Sequence, residues 1–138
     1  MTGWVGNIEE ATLGNTNFRT VLFTGTAMQL TVMRLAPGEE IGVEMHDHRD
    51  QFIRVEHGRA RVTLGPERDR VAETHDLEDD WVVIIPGGTW HNVVNTGDGD
   101  LKLYSLYPPP DHPDRSRRRR HRDSWRAPAP AEWSKAPP

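Results

Sequence analysis

The stretch Ile84-Ile-Pro-Gly-Gly-Thr-Trp-His-Asn-Val-Val-Asn95 decides how this chain is read. An apolar run stops at Pro86, which fixes one backbone dihedral and lacks an N–H, and two glycines then permit a tight reversal. Polar and apolar residues alternate after the turn. His91, Val93 and Asn95 therefore lie on one face of the strand that follows, with His91 at its beginning.

Outward from this turn the chain keeps the same character. Trp81–Ile85 leads into it and Leu101–Tyr107 follows it as a further strand. Upstream, Phe18–Phe23 ends at Gly25, Met28–Leu35 ends at Pro37-Gly38, and Ile41–His46 comes next. Gln51–Glu56 closes at His57-Gly58 and leads into Ala60–Leu64, while the charged connection Gly65–Asp80 holds one more strand near Val71. Long helical periodicity is absent. About eight to ten short strands separated by turn residues predict an all-β sandwich or barrel.

The charge is divided along the chain. Residues 1–110 carry 9 basic and 17 acidic side chains, a net of −8, and residues 111–138 carry 8 and 4, a net of +4, which together give the total of −4. Three of the 11 prolines form Pro108–Pro110, and five more lie beyond. The reading is an N-terminal extension at 1–15, a barrel at 16–110, and a basic Pro-rich tail with little structure of its own at 111–138. No run of about 18 apolar residues is long enough to span a membrane. No secretory signal opens the chain, which points to the cytoplasm. There is no cysteine, so any metal must be held by histidine together with carboxyl or amide oxygen. The acidic body argues against a nucleic-acid surface, and the Arg117–Arg120 run reads as a solvated tail that folds back on acidic surface of its own or a second subunit.

Seven histidines are present. His57 sits in a turn, and His75, His112 and His121 lie in charged loops or the tail, where solvation accounts for them. His46 and His91 differ, because each lies at one end of a strand beside a glycine turn. Glu44 and His46 share one side of their strand, and Gln51 shares a face with Ile53 and Val55 on the next. Three strands thus bring Glu44, His46, Gln51 and His91 toward one interior.

With these residues the chain resembles the cupins, small double-stranded β-helix barrels that bind a divalent metal. The first cupin motif corresponds to Gly38, five residues, Glu44-Met-His46, four residues, Gln51, six residues and Gly58. The second corresponds to Asp80, five residues, Pro86-Gly-Gly88, two residues, His91, three residues and Asn95. Every interval is kept, but Glu44 stands where the family has its first His, Gln51 where it has Glu, and Asp80 where it has Gly. His48 would complete a His-x-His with His46, yet only two residues separate it from Gln51, so the connecting turn is its expected place and the ligand role its weaker alternative.

The resemblance implies one divalent ion (Zn, Mn, Fe or Ni) on Glu44, His46, Gln51 and His91, and a homodimer. It implies Lewis-acid activation of a small polar metabolite, in the manner of an isomerase, lyase or cyclase. Two histidines and a carboxylate also compose the site of non-haem Fe(II) dioxygenases, which is the second reading. A cupin that binds a small molecule without transforming it is the third, and a metal-free barrel the blandest. Glu44, Tyr104 and Arg34 are the candidates for moving protons. Trp81 and Trp90 are read as core or pocket wall, Trp90 as a cap on the site, and Trp125 and Trp133 as docking residues of the tail.

Overall fold

The computed structural model describes residues 2–109. One short helix, α1 (Ile8–Leu13), precedes eight strands: β1 (Arg19–Thr24), β2 (Gln29–Leu35), β3 (Gln51–His57), β4 (Ala60–Gly65), β5 (Glu73–Leu77), β6 (Val82–Ile85), β7 (Trp90–Asn95) and β8 (Leu101–Tyr107). They form two antiparallel sheets, ordered β1-β2-β8-β3-β6 and β5-β4-β7. This is the all-β barrel expected from the alternation. The tail at 111–138, with its Arg run, Trp125 and Trp133, lies outside the described residues.

Period-two patterning builds the interior. On β8 every second residue from Leu101 to Tyr107 is buried, and β3 and β7 alternate in the same way. Leu35, Ile53, Val55, Val62, Ile85, Val93, Leu101 and Leu103 fill the space between the sheets and are almost wholly shielded from water. Burying one such side chain contributes about 1.5–3 kcal/mol, so the core supplies the main drive to fold. The edge strand β5 is instead exposed over its first four residues, and Asp76, paired with Arg61 of β4, gives it the charge that discourages further strand addition.

Several local expectations change. Ile41–His46 is not a regular strand: Glu40 and Glu44 make isolated bridges to β7, and Gly42 between them has φ +108°. The strand placed near Val71 begins two residues later, at Glu73. The N-terminal segment contains α1, capped by the Asn7 side chain on the Glu10 N–H. That helix is docked, since Lys102 on the outer face of β8 donates to the carbonyls of Leu13 and Asn15. Trp81 is half exposed and is not core.

The motif glycines hold real conformational demands at two places. Gly58 has φ +112°, and a Cβ there would lie 2.9 Å from the Asp100 carbonyl oxygen. Asp80, standing where the motif has glycine, keeps the left-handed backbone at φ +74°, a region Asp enters more readily than most residues. Its carboxylate accepts from Arg54 at 2.8 Å, and its N–H donates to the Val55 carbonyl at 2.8 Å.

Candidate metal centre

The two motif segments are tied together by their backbones. Glu44 and His91 exchange a pair of N–H···O bonds, each 2.9 Å. The Gly88 N–H donates to the His46 carbonyl at 3.0 Å, and the Gly87 N–H donates to the Asp50 carboxylate at 2.9 Å. A Cβ on Gly87 would stand 2.7 Å from the Arg49 nitrogen, so the Pro-Gly-Gly turn is glycine-rich because the other motif crosses directly against it. This crossing sets the His46 and His91 rings beside each other, tilted by 41°.

Three ligand atoms from Glu44, His46 and His91 lie within 4.8 Å of one another. One carboxylate oxygen of Glu44 is 3.8 Å from the Nε2 of each histidine, and the imidazole centroids are 5.3 Å apart. Both rings are buried. The Nδ1 of His91 lies 2.9 Å from the Thr89 carbonyl, which can only accept, so Nδ1 carries the proton and Nε2 presents a lone pair to the site. That Nε2 is buried without a hydrogen-bond partner among the described residues.

Gln51 faces the same interior. Its amide nitrogen donates to the Ser105 hydroxyl at 2.9 Å, which fixes the amide so that Oε1, buried and without a hydrogen-bond partner among the described residues, is an acceptor to spare. Leaving such acceptors buried is costly unless something occupies them. A carboxylate, two imidazole nitrogens and an amide oxygen are a donor set that fits a divalent cation.

Protonation agrees with that fit. Burial by itself would raise the Glu44 carboxyl, but the His46 and His91 imidazoles more than offset it and bring it down to about 2. Burial pushes His46 down to about 4 against the pull of Glu44. At neutral pH Glu44 is an anion and His46 is neutral, the forms a metal requires.

The remaining candidates fall elsewhere. His48 lies in the connecting turn at φ +61°, with its side chain 91% exposed, as its spacing from Gln51 implied. Arg34 and Tyr104 have the parity of the outer sheet face: Arg34 pairs with Asp100 at 2.9 Å, and the Tyr104 ring lies 6.2 Å from Phe52. Neither reaches the site, so of the three proton-moving candidates only Glu44 is there. Trp90 points away from His91 by strand alternation and carries the Arg68 guanidinium over its ring, so it does not cap the site. Asn95 is a fastener, its amide donating to the carbonyls of Leu35 and Gly99 at 2.9 and 2.8 Å.

Other interior polar residues were not anticipated. Arg19, Gln29, Thr31, Ser105 and Tyr107 are all buried. Ser105 and Tyr107 continue the parity of Leu101 and Leu103, so extending the interior row past its apolar half would have found them.

A two-motif barrel with a candidate metal site defines a class, and the comparisons give it a family. The cupin domain profile matches residues 31–107, and the chain belongs to that family. It is 49% identical to the uncharacterized protein YrkC of Bacillus subtilis over 110 residues, 80% of this chain and 59% of YrkC. The chain thus spans about three fifths of that relative. It is 41% identical over 111 residues to protein L612 of Acanthamoeba polyphaga mimivirus, covering 80% of this chain and 68% of L612. The crystal structure of BH2720 from Bacillus halodurans superimposes with a TM-score of 0.85 at 45% identity, covering 89% of this chain and 93% of that one.

Proposed function

We propose that this cupin holds one divalent metal ion on Glu44, His46, His91 and Gln51 and transforms a small polar metabolite as an isomerase, lyase or cyclase. The observation that carries the reading is the buried convergence of one carboxylate and two imidazoles within 4.8 Å. The ion supplies Lewis acidity, which polarises a carbonyl or hydroxyl and acidifies the adjacent bond. The Thr89 carbonyl keeps His91 in one tautomer, and Ser105 keeps the Gln51 amide turned. Glu44, ionised at neutral pH, is the group able to take a proton beside the reacting atoms when it leaves the metal. Burial of the two imidazoles away from bulk water strengthens each of these interactions.

Two histidines with one carboxylate also support the second reading, an Fe(II) dioxygenase. Protein loaded separately with Zn, Mn, Ni or Fe(II) and given small sugars and hydroxy or oxo acids separates them. Product without oxygen uptake supports isomerase or lyase chemistry. Uptake confined to the iron form supports the dioxygenase, and binding without turnover in every form replaces both with a binding role.

We also propose a homodimer. The outward row Ile84, Phe52 and Leu106 runs across three strands, with Ile84 63% exposed and Val82 and Trp81 beside it. A continuous apolar row of this kind suits a self-complementary interface. A light-scattering mass of one chain would contradict it. Among the described residues no helix is long and apolar enough to cross a membrane, and a cytoplasmic place stays part of the proposal.

A further inference from the structure

Glu44 reaches the site because the segment before it carries one residue too many. Glu40 is bridged to Val94 and Glu44 to His91, so the four steps from 40 to 44 oppose the three from 91 to 94 on β7. The surplus falls at Gly42 and Val43, which together oppose Asn92. Gly42 has φ +108°, and a glycine with positive φ is what one common form of β-bulge needs at its first position. Parity gives the bulge its meaning. Glu40 lies on the outer face, where its carboxylate meets the Asn92 side chain, and in a regular strand residues 42 and 44 would follow it there. Ile41 packs against the core, but Val43, which strict alternation would also turn inward, is 41% exposed. Past the extra residue Glu44 stands opposite the buried His91, since a shift of one residue turns every later side chain to the other face.

Asn92 fastens this irregularity. It follows His91 on β7 and so points to the opposite face. Its Oδ1 accepts the Gly42 N–H at 2.9 Å and the Val93 N–H at 2.8 Å, one donor from each side of the interrupted ladder. Its Nδ2 donates to the Glu40 carboxylate at 2.6 Å. One amide thus supplies an acceptor and a donor where the ladder is broken, which neither an aliphatic side chain nor a carboxylate can do. Bulges recur beside functional sites because they re-aim a side chain. We infer that Asn92 is a positioning residue of the metal centre: by holding the Gly42 bulge it turns the Glu44 carboxylate inward, to 3.8 Å from the Nε2 of His46 and of His91. The inference deepens the metal reading and rests on it for what Glu44 then binds.

Zn²⁺ is a suitable probe, its affinity for the full chain read by competition with a chromophoric chelator. Asn92→Val keeps a strand-forming residue and removes the clamp, and it weakens Zn²⁺ binding about tenfold, as loss of a residue that orients a metal ligand does. In a Glu44→Gln background the same change weakens binding by less than about twofold, because Asn92 acts through Glu44. Asn92→Asp keeps the acceptor but sets a carboxylate against Glu40, and it weakens binding by a smaller factor. Adding Glu40→Gln to it restores the bridge with donor and acceptor exchanged and returns the affinity to within about twofold of wild type. These last two variants carry the comparison should Asn92→Val not fold. An equal loss in both Glu44 backgrounds, which general loosening would give, overturns the inference. So does a lowered Tm with wild-type Zn²⁺ affinity, which marks Asn92 as structural only. Crystal structures of the metal-free Asn92 variants separate this inference from the metal reading. Should the wild-type chain take up no Zn²⁺, the metal reading fails. Asn92 then keeps its role if Glu44 has left its 3.8 Å approach to the His91 Nε2, and loses it if Glu44 has not moved. Zn²⁺ uptake with no dependence on Asn92 does the reverse.

Discussion

The two ends of the barrel interior are built from the same strands and differ in almost everything else. At one end β2, β3 and β8 turn Leu35, Val55, Leu101 and Leu103 inward, and at the other the same strands turn Gln29, Thr31, Gln51, Ser105 and Tyr107 inward. Along β8 the change falls between Leu103 and Ser105, one pleat apart. Period-two alternation continues unbroken through both halves, so the fold does not distinguish them. Chemistry does. One end supplies the burial that stabilises the sheets, and the other keeps donors and acceptors in fixed positions that cost stability and make a site.

This contrast can be broken at several points. The largest effect belongs to the polar end: His46→Ala or His91→Ala lowers affinity for divalent metal by about a hundredfold or more, read by competition with a chromophoric chelator, because each removes a deprotonated nitrogen from a small donor set. At the apolar end Leu103→Ala lowers stability by about 2–5 kcal/mol in urea unfolding, yet the folded fraction retains its metal affinity. Loss of metal affinity in that variant would mean that the two ends are not separable.

Acidification bears directly on the polar end. Glu44, held down to about 2, and His46, held down to about 4, both bind protons more readily in the unfolded chain than in the native one. Native stability is therefore fullest above about pH 6.5, the ordinary range of histidine. It falls as the pH drops through the histidine range toward 4, and again through the carboxylate range toward 2. Urea midpoints measured across pH 7 to 3 check this, and His46→Ala should flatten the upper part of the decline. A smaller effect is expected of Gln51→Ala, which weakens metal binding by less than either histidine change since a neutral amide is the poorest of the four ligands. Smallest of all is Arg34→Ala on the outer face, within about 1 kcal/mol of wild type and without effect on metal, as half-exposed ion pairs contribute little.

Much of the site was legible because motif spacing is strand geometry. Glu44, His46 and His91 were named from their positions beside Gly38 and the Pro86-Gly-Gly88 turn, and the structure brings them together. Asp80 in a glycine position was equally visible, and its positive φ gives the physical reason that a short polar side chain survives there. What was not legible depended on which face of a strand turns inward. Arg34 and Tyr104 have the chemistry of catalytic residues but the wrong parity, whereas Arg19 and Tyr107 have the right parity and no motif to announce them. Trp81 was misplaced because an aromatic residue beside a strand gives no sign of which side of the sheet it covers. Glu44 and His46 converge even though Ile41–His46 is not the regular strand from which their shared side was inferred, because backbone bonds to His91 and Gly88 do the positioning.

Elemental analysis and calorimetric titration of the purified, chelator-stripped chain at neutral pH test the central claim most directly. One divalent ion should bind per chain, with the His91 ring signals shifting on binding and the ion released as the pH falls toward about 4, where His46 takes up a proton. A stripped chain that takes up no ion, or takes one up undiminished after both His46 and His91 are replaced by alanine, would contradict it.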